Sequence, residues 1–287
     1  MEELIFVGPG RVGLALGYAL LQAEAVSSVV YYGRRPEPPA HPLFHQGLAE
    51  YRYGLDRPSE RAAAVLLTVP DHVLPEVAVA LAGRGAPRSG VAALHTSGVR
   101  GADLLEPLHR IGYSVGTLHP LQSVVNSVTG AERLVGAGYA ISGDPTALII
   151  ARRIVSALSG RTISVPPHRR PLYHASAVLA SNYLVVLLRE AVRLFHEAGA
   201  SREEAEAALL ALARGTLENV AELGLDSALT GPVVRGDLET VHLHLRTLEP
   251  ADAAFYSALG LRALHGARGE LPSEVAGELE ELLGRYL

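Results

Sequence analysis

A glycine-rich turn near the start of the chain restricts the fold more than any other feature of the sequence. Leu4–Val7 is a short apolar run that predicts a buried strand, and the turn Gly8–Gly13, with the sequence GPGRVG, follows it directly. From Arg11 to Ala23 the apolar residues then recur at helical spacing. A strand, a G-x-G-x-x-G turn and a helix together favour a site where a dinucleotide pyrophosphate meets a helix N-terminus.

The three glycines of this turn have different predicted roles. Gly8 permits the tight turn, Gly10 lets a pyrophosphate approach the backbone, and Gly13 lets the helix pack closely on the strand. An ordinary glycine turn is the alternative. The residues predicted to bind the cofactor are Gly8, Pro9, Gly10, Arg11, Val12 and Gly13, together with Val69 and Pro70 at the end of a later strand.

The end of the second predicted strand distinguishes two cofactors. Val29–Tyr32 is followed by Gly33, Arg34 and Arg35, with no carboxylate before Glu37. A carboxylate at this place would accept a hydrogen bond from the ribose 2′-hydroxyl of NAD, whereas arginines suit the 2′-phosphate of NADP. The sequence therefore predicts NADP rather than NAD. In the alternative interpretation the two arginines are solvated surface charges.

Strand-like and helical segments alternate through the first half of the chain. Further β-type runs cover Ala64–Val69, Val91–Leu94, Ser114–Leu118, Tyr139–Ser142 and Thr162–Val165, and helical patterns cover Val73–Ala82 and Ala147–Leu158. This alternation predicts an α/β fold with a doubly wound parallel sheet, a Rossmann domain over residues 1–165.

Beyond the Pro166-Pro167 pair the pattern is helical throughout. The predicted helices are Leu172–Gly199, Ala205–Leu223, Leu238–Leu248, Ala251–Leu264 and Ser273–Leu287. Residues 166–287 are therefore predicted to form an all-α domain.

Composition excludes several classes of function. The formal net charge is −5, so the chain carries no cationic footprint for nucleic acid and no polybasic patch for a membrane surface. Cys is absent, which excludes disulfides and thiolate chemistry. Lys is absent too, so no lysine can form a Schiff base or act as a general acid. With no secretory signal and no predicted membrane span, a soluble cytoplasmic protein is expected.

Two strand ends carry polar side chains that could act on a substrate. One is the His95-Thr96-Ser97-Gly98 segment and the other is His119-Pro120-Leu121-Gln122. Since the carboxyl ends of parallel strands meet at one sheet edge, His95, Ser97 and His119 are predicted catalytic residues and Gln122 a substrate-binding one. Alternatively, His119 is a structural histidine before a proline, and Ser97 caps a helix.

The helical half adds two further clusters. His174, Val178, Ser181 and Asn182 share one face of the predicted helix, so His174 and Asn182 are predicted catalytic residues that face an interdomain cleft. Hydrogen-bonded core groups are the alternative. In the turn-rich segment Thr230–Asp237, Arg235 is predicted to hold a substrate carboxylate, with Asp237 beside it. Alternatively, Arg235 and Asp237 pair and only lock the loop.

No metal site is predicted. His242 and His244 are two positions apart, which puts them on different faces of a helix, and no Cys or tight carboxylate cluster accompanies them.

Taken together, these motifs resemble a bacterial family of predicted dehydrogenases in which a Rossmann-like domain precedes a conserved C-terminal domain of unknown function. The matching segments are Gly8–Gly13, Thr68–Asp71, His95–Gly98, His119–Gln122, Tyr173-His174, Asn182 and Thr230–Asp237. The wider superfamily is similar to ketopantoate reductase, pyrroline-5-carboxylate reductase, prephenate dehydrogenase and 6-phosphogluconate dehydrogenase, and it implies a homodimer formed through the helical domain.

One departure and one match refine this resemblance. Ketopantoate and 6-phosphogluconate enzymes use a catalytic lysine, which this chain lacks. Prephenate dehydrogenases carry a His-Pro pair near the substrate hydroxyl and a serine on the preceding strand end, which His119-Pro120 and Ser97 match. The resemblance implies roles for these residues without naming a substrate.

The predicted function is an NADP-dependent oxidoreductase that acts on a small anionic keto, hydroxy or imino metabolite at the interdomain cleft. His119 would transfer the proton, Ser97 and Asn182 would orient the substrate, and Arg235 would hold its carboxylate. The alternative is a non-catalytic dinucleotide-binding sensor or assembly protein, which needs the glycine turn but no proton donor.

Overall fold

A computed structural model of the protein describes residues 3–287. The chain divides into two compact units, of which the first ends at Val185 and the second comprises Val186–Leu287. The first unit is built on a sheet and the second consists of helices, which confirms the predicted fold class.

An eight-stranded sheet forms the centre of the first unit, in the strand order β3-β2-β1-β4-β5-β6-β7-β8. Its strands are β1 (Glu3–Val7), β2 (Ser28–Gly33), β3 (Glu50–Tyr53), β4 (Ala62–Leu67), β5 (Ala92–His95), β6 (Ser114–Pro120), β7 (Gly138–Gly143) and β8 (Arg161–Ser164). Neighbouring strands pair in parallel except for β6 and β7. The central strand β1 is buried along its length, as expected for a strand covered on both faces.

Helices cover both faces of this sheet. They are α1 (Arg11–Gln22), α2 (Pro42–His45), α3 (Leu74–Ala82), α4 (Glu106–His109), α5 (Ser127–Leu134), α6 (Pro145–Ala157) and α7 (Arg170–Val178). Successive residues of a strand point to opposite faces, and in β1 Leu4 and Phe6 belong to one buried cluster while Ile5 and Val7 belong to another. Helices α1, α5 and α6 contribute to the first cluster, and α3 and α4 contribute to the second.

The sheet differs from a fully parallel one at a single junction. Thr117 of β6 pairs with Ser142 of β7 in an antiparallel register, because the chain returns through α5 to the same edge at which β6 ended. Only the strands up to β6 therefore present their carboxyl ends at one common edge. The short elements β3 and α2 were not predicted, because four-residue segments rich in Pro, Tyr and charge carry no clear periodicity.

The helix predicted over Leu172–Gly199 is interrupted once. Helix α7 passes into a π-helical turn at Leu179–Tyr183 and then into α8 (Leu184–Glu197). The sheet itself ends at Ser164, close to the predicted domain boundary, but the first compact unit continues to Val185. It does so because α7 is anchored to the sheet by the fully buried side chain of Arg170.

The second unit contains the remaining helices α9 (Arg202–Leu223), α10 (Leu225–Ala228), α11 (Leu238–Thr247), α12 (Pro250–Ala267) and α13 (Ser273–Gly284). Its core lies among α11, α12 and α13, where Val241, Leu245, Leu264 and Leu279 are almost completely buried. The 22-residue helix α9 begins with a capping box between Ser201 and Glu204, as predicted, yet Ala205 is its only buried residue.

One helical stretch within residues 3–287 is long and apolar enough to cross a membrane by length and composition alone. It runs from Pro167 to Glu197, with a mean hydropathy of 1.4 in its most apolar window. The sequence predicted no such stretch, because polar residues interrupt it, but these residues lower the mean hydropathy only modestly.

Candidate functional site

The glycine turn between β1 and α1 is held firmly by its neighbours. Gly8 has a φ of +99°, and its N–H donates to the Tyr32 carbonyl at 2.9 Å. The Thr68 hydroxyl donates to the Gly8 carbonyl at 2.7 Å, and Gly13 lies so close to the Thr68 side chain that a Cβ there would overlap it. Gly8 and Gly13 therefore have the structural roles expected of their positions.

Gly10 is different, because the packing of the chain does not require a glycine there. A Cβ at Gly10 would meet only the Thr68 carbonyl oxygen, at 3.7 Å, and the backbone φ of −83° suits any residue. Gly10 is the N-cap of α1, whose first amides, at Arg11 and Val12, have no partner inside the helix. Gly10 is exposed and Pro9 is half-buried, so no side chain is packed over the start of α1 at Gly10.

Arg34 and Arg35 lie directly beyond the end of β2, and both are exposed. Tyr51 of β3 supports this segment, since its hydroxyl donates to the Arg35 carbonyl at 2.5 Å and its ring lies against Gly33. Neither arginine has an acidic partner within the part of the chain that the structure describes. Both cations are therefore available to a phosphate at this strand end.

The end of β4 links the glycine turn to the next strand. Val69 contacts Gly8, where a Cβ would come within 2.6 Å of the Val69 side chain, and Pro70 is exposed. Asp71 is the first residue of a 3₁₀ turn, Asp71–Val73, and Pro70 is its N-cap. The Asp71 carboxylate accepts a hydrogen bond from the Ser97 hydroxyl at 2.7 Å.

His95 is fully buried at the end of β5, and both of its ring nitrogens have backbone partners. Nδ1 accepts from the Ser97 N–H at 3.2 Å, and Nε2 lies 2.8 Å from the Gly101 carbonyl oxygen. A carbonyl can only accept and an N–H can only donate, so the partners fix a neutral ring with its proton on Nε2. Burial lowers the pKa of His95, which agrees with a neutral ring that shapes the turn.

Ser97 is buried and its hydroxyl forms two hydrogen bonds. It donates to Asp71 and accepts from the Arg100 N–H at 3.1 Å. The hydroxyl therefore holds the turn after β5 in place, and its one proton is already donated to a carboxylate.

His119, near the end of β6, is the histidine of this edge with a free nitrogen. Its Nδ1 lies 2.8 Å from the hydroxyl of Tyr173, and the two rings meet edge to face at 5.7 Å. Among the described residues Nε2 has no partner, and it is not sealed from solvent. His174 stands at a ring distance of 6.2 Å, and Gly98 lies between the two imidazoles, where a Cβ would come within 2.8 Å of Nε2.

Arg170 is a fully buried cation beneath this group. One terminal nitrogen donates to the Ser97 carbonyl at 2.7 Å and the other to the Thr117 hydroxyl at 3.0 Å, while Nε has no partner. No carboxylate of residues 3–287 forms an ion pair with Arg170, so its positive charge is not neutralised locally.

The pKa of His119 is lowered to about 4. Burial is the largest cause, because it disfavours the charged imidazolium, and the positive charge of Arg170 is the next, followed by His174. Burial also raises the pKa of the Tyr173 hydroxyl, an effect that Arg170 partly opposes. Both groups are therefore neutral near pH 7.

The remaining predicted residues of this unit form no hydrogen bond with His119, Tyr173 or His174 within residues 3–287. Asn182 lies in the π-helical turn Leu179–Tyr183 and is exposed, whereas Ser181 is half-buried. Gln122 is exposed as well, and its side chain bonds to the Arg133 carbonyl at 3.2 Å and to the Ser123 N–H at 2.9 Å.

In the helical unit, Arg235 and Asp237 do not pair. Both carboxylate oxygens of Asp237 accept hydrogen bonds from Thr240, one from its N–H at 3.0 Å and one from its hydroxyl at 2.7 Å, so Asp237 caps α11. Arg235 is exposed and has no ion pair among residues 3–287. Within those residues no group of three or more His, Asp or Glu side chains could hold a metal ion.

Sequence reasoning missed Arg170 and the role of Tyr173. A signal was present, because Arg170, Tyr173 and His174 are spaced i, i+3 and i+4 on one helix face. The prediction began the helix at Leu172, after the Pro-rich segment, and so left Arg170 outside it. Its side chain lies under the sheet edge because it packs against residues more than 50 positions away in the sequence.

Two family models match the chain. Residues 3–120 match the Rossmann-like domain, and residues 137–263 match the domain of unknown function DUF2520. The chain thus joins a Rossmann-like domain to a DUF2520 domain, which confirms the resemblance predicted from the motifs. No curated protein matches the sequence.

Solved structures share the fold at low sequence identity. Protein TM1727 from Thermotoga maritima has a TM-score of 0.72 at 22% identity, covering 93% of this chain and 99% of its own. BF3122 from Bacteroides fragilis, a candidate NADP oxidoreductase, has a TM-score of 0.70 at 22% identity, covering 91% and 97%. A pyrroline carboxylate reductase from Plasmodium falciparum with NADP bound has a TM-score of 0.57 at 15% identity, covering 99% and 96%.

Proposed function

We propose that this chain, which joins a Rossmann-like domain to a DUF2520 domain, is an NADP-dependent oxidoreductase. Its substrate would be a small anionic metabolite with a carbonyl, hydroxyl or imine group. One observation carries the proposal: a series of contacts joins the glycine turn to a histidine with a free nitrogen. The turn at Gly8 contacts the end of β4, which leads to Asp71. Asp71 bonds to Ser97, and the adjoining Gly98 lies against His119.

The cofactor would lie along this series. The α1 amides after Gly10 would hold the pyrophosphate, and Arg34 and Arg35 would hold the 2′-phosphate. The bound nicotinamide supplies or accepts a hydride. Two structural neighbours named above are described with NADP, which agrees with this choice.

The residues at the sheet edge would handle the substrate. His119 Nε2 is the accessible nitrogen that can exchange a proton with the substrate oxygen or nitrogen. The uncompensated charge of Arg170 favours an anionic substrate beside it, and Arg235 remains the residue proposed to bind a carboxylate. Because dissolved NADPH and small acids are cytoplasmic metabolites, a cytoplasmic location is part of this proposal.

Cofactor binding is tested by titrating the protein with NADPH and NADH and following the fluorescence of the reduced nicotinamide. We expect NADPH to bind at least ten-fold more tightly than NADH, and the double substitution Arg34→Ala and Arg35→Ala to weaken NADPH binding by about 10- to 100-fold while leaving NADH binding unchanged. Arg161→Ala, which removes an exposed arginine at the start of β8, serves as the control for charge alone.

Equal binding of both dinucleotides would contradict the NADP assignment, and binding of neither would contradict the function. If NADPH binds and no carbonyl, hydroxy or imino acid is turned over, the protein is a dinucleotide sensor or assembly protein instead. His119→Ala distinguishes these cases, since the enzyme requires this residue and the sensor does not.

We also propose that two copies associate through the helical unit. Helix α9 exposes Leu210, Leu212 and Leu217 and has one buried residue in 22. In proteins most of the stability of a helix comes from tertiary packing of its apolar face, so we expect α9 to have a partner. An open apolar groove of about 510 Å³ lies between α8, α11 and α12, lined in part by Leu187, Leu194, Leu243, Phe255 and Leu259. A second copy, rather than lipid, would cover these surfaces.

A further inference from the structure

The hydrogen bond between Tyr173 and His119 has a preferred direction. Tyr173 Oη has no acceptor among the described residues other than His119 Nδ1, at 2.8 Å. A tyrosine hydroxyl that donates to Nδ1 leaves the ring proton on Nε2, because a neutral imidazole carries one proton. Nε2–H then points away from the tyrosine, on the accessible side of the ring near Gly98.

The charges around this pair favour a neutral histidine beside a tyrosine that can ionise. Arg170 and Tyr173 are spaced i, i+3 on α7, and the cation of Arg170 stabilises a negative charge on Tyr173. The same cation disfavours a positive charge on His119, and His174 adds to that effect. Asp71 opposes it weakly, and His95 is neutral because both of its nitrogens are bonded to the backbone.

We propose that Tyr173 and His119 form a proton relay, in which His119 passes a proton to the substrate and recovers one from Tyr173. This inference rests on the proposed function. In the reducing direction a hydride reaches the carbonyl carbon and the carbonyl π electrons move to the oxygen. That oxygen takes the proton of His119 Nε2, while Nδ1 takes the proton of Tyr173 Oη. The tyrosinate left behind is balanced by Arg170. To restore the starting state, the tyrosinate takes its proton back from Nδ1 while Nε2 takes one from water, which returns His119 to the Nε2–H tautomer.

The relay removes a difficulty in using His119 alone. With a pKa of about 4, His119 is an imidazolium in on the order of one molecule in 10³ at pH 7. As a lone acid it would be almost inactive near neutrality and would work best in acid. In the relay the imidazole is neutral before and after the transfer, so the rate does not depend on a populated imidazolium. Tyr173 thereby acts through His119 and is a positioning and proton-supplying residue.

The first test needs no substrate. ¹⁵N NMR of the histidine side chains reports which ring nitrogen carries the proton in the cofactor-free protein at pH 7. We expect the Nε2–H tautomer for His119 in the wild type and a mixture of both tautomers in Tyr173→Phe, which keeps the ring and removes the hydroxyl. Tyr183→Phe, which changes an exposed tyrosine of the π-helical turn, should leave the His119 signals unchanged. An Nδ1–H tautomer in the wild type overturns the relay.

The second test is the pH profile of turnover with an active carbonyl substrate. For the wild type and Tyr183→Phe we expect kcat to vary less than about three-fold between pH 5.5 and 8. For Tyr173→Phe we expect kcat at pH 7.5 to fall at least ten-fold and to rise as the pH is lowered, while NADPH affinity changes less than two-fold. A flat profile and full kcat in Tyr173→Phe overturn the relay and leave the proposed oxidoreductase standing. Failure of the wild type to bind NADPH overturns the proposed function itself.

Discussion

Within the site, burial and nearby charges change the pKa of His119 more than that of any other histidine. Its ring is half-buried, its pKa is lowered to about 4, and the causes are burial first and the Arg170 cation second. In the unfolded chain the same imidazole titrates near its ordinary value of about 6.5. Between these two values the unfolded state binds more protons than the folded state, so the stability rises with pH in that window.

This difference predicts a loss of stability in mild acid that depends on one side chain. Above about pH 6.5 His119 is neutral in both the folded and the unfolded state. As the pH falls toward 4 only the unfolded imidazole is protonated, so the free energy of unfolding decreases by on the order of 2–3 kcal/mol. His119→Gln should therefore make the free energy of unfolding less dependent on pH between 6.5 and 4.5, as measured by urea denaturation at a series of pH values. His168→Gln, at an exposed histidine, is the control. An identical pH dependence in His119→Gln and the wild type would contradict the assigned pKa.

Among the secondary structure elements, helix α9 is unusual because it is long and yet has only one buried residue. The capping box stabilises the N-terminus of α9, but the hydrophobic core of the second unit lies among α11, α12 and α13. Leu210 and Leu217 are seven residues apart and so lie on one face of the helix. Such an apolar face is typical of a helix that packs against another chain.

The proposed association predicts that two substitutions on this face separate the copies. We expect the wild type to sediment as a dimer and the double variant Leu210→Glu and Leu217→Glu to sediment as a monomer, because charges at an apolar interface would have to be desolvated. Val79→Glu, at an exposed apolar residue of α3, should leave the dimer intact. A wild type that is monomeric at all concentrations would contradict the proposal.

The secondary structure elements also show which predictions periodicity supports. The long strands and helices were predicted with their ends within a few residues, because each carries an apolar pattern of its own. The π-helical turn at Leu179–Tyr183 was not predicted, since one added residue leaves the apolar composition unchanged.

On the scale of the whole molecule, ligand binding should add to the stability of the folded chain. A ligand that binds only the folded state raises the unfolding free energy by about 2.7 kcal/mol at 100 times its Kd. A substitution at Gly10 can distinguish the effect of ligand binding from an effect on folding. A Cβ at Gly10 would make no close contact within the chain, whereas a Cβ at Gly13 would.

Gly10→Val should therefore fold normally and lose the response to NADPH. We expect its melting temperature without ligand to correspond to a stability within about 1 kcal/mol of the wild type, the size of an N-cap effect. Saturating NADPH should raise the melting temperature of the wild type by several degrees and that of Gly10→Val by less than one degree. Gly13→Val should instead lower the melting temperature without ligand, since the added side chain overlaps Thr68. An equal NADPH response in Gly10→Val would argue against a dinucleotide at this turn.

The sequence by itself determined the features that depend on local spacing. The glycine turn, the strand and helix that flank it and the alternation of elements follow from patterns of a few residues each, so the Rossmann-like domain and the helical C-terminal half could be predicted. The tertiary structure alone decided which polar side chains are free. His95 and Ser97 belong to the same strand end as predicted, yet their polar atoms are used by the backbone and by Asp71. Arg170 reaches this edge from a helix more than 50 residues away and changes the ionisation of His119. Spacing along the chain does not contain such information, because burial and charge act through distance in space.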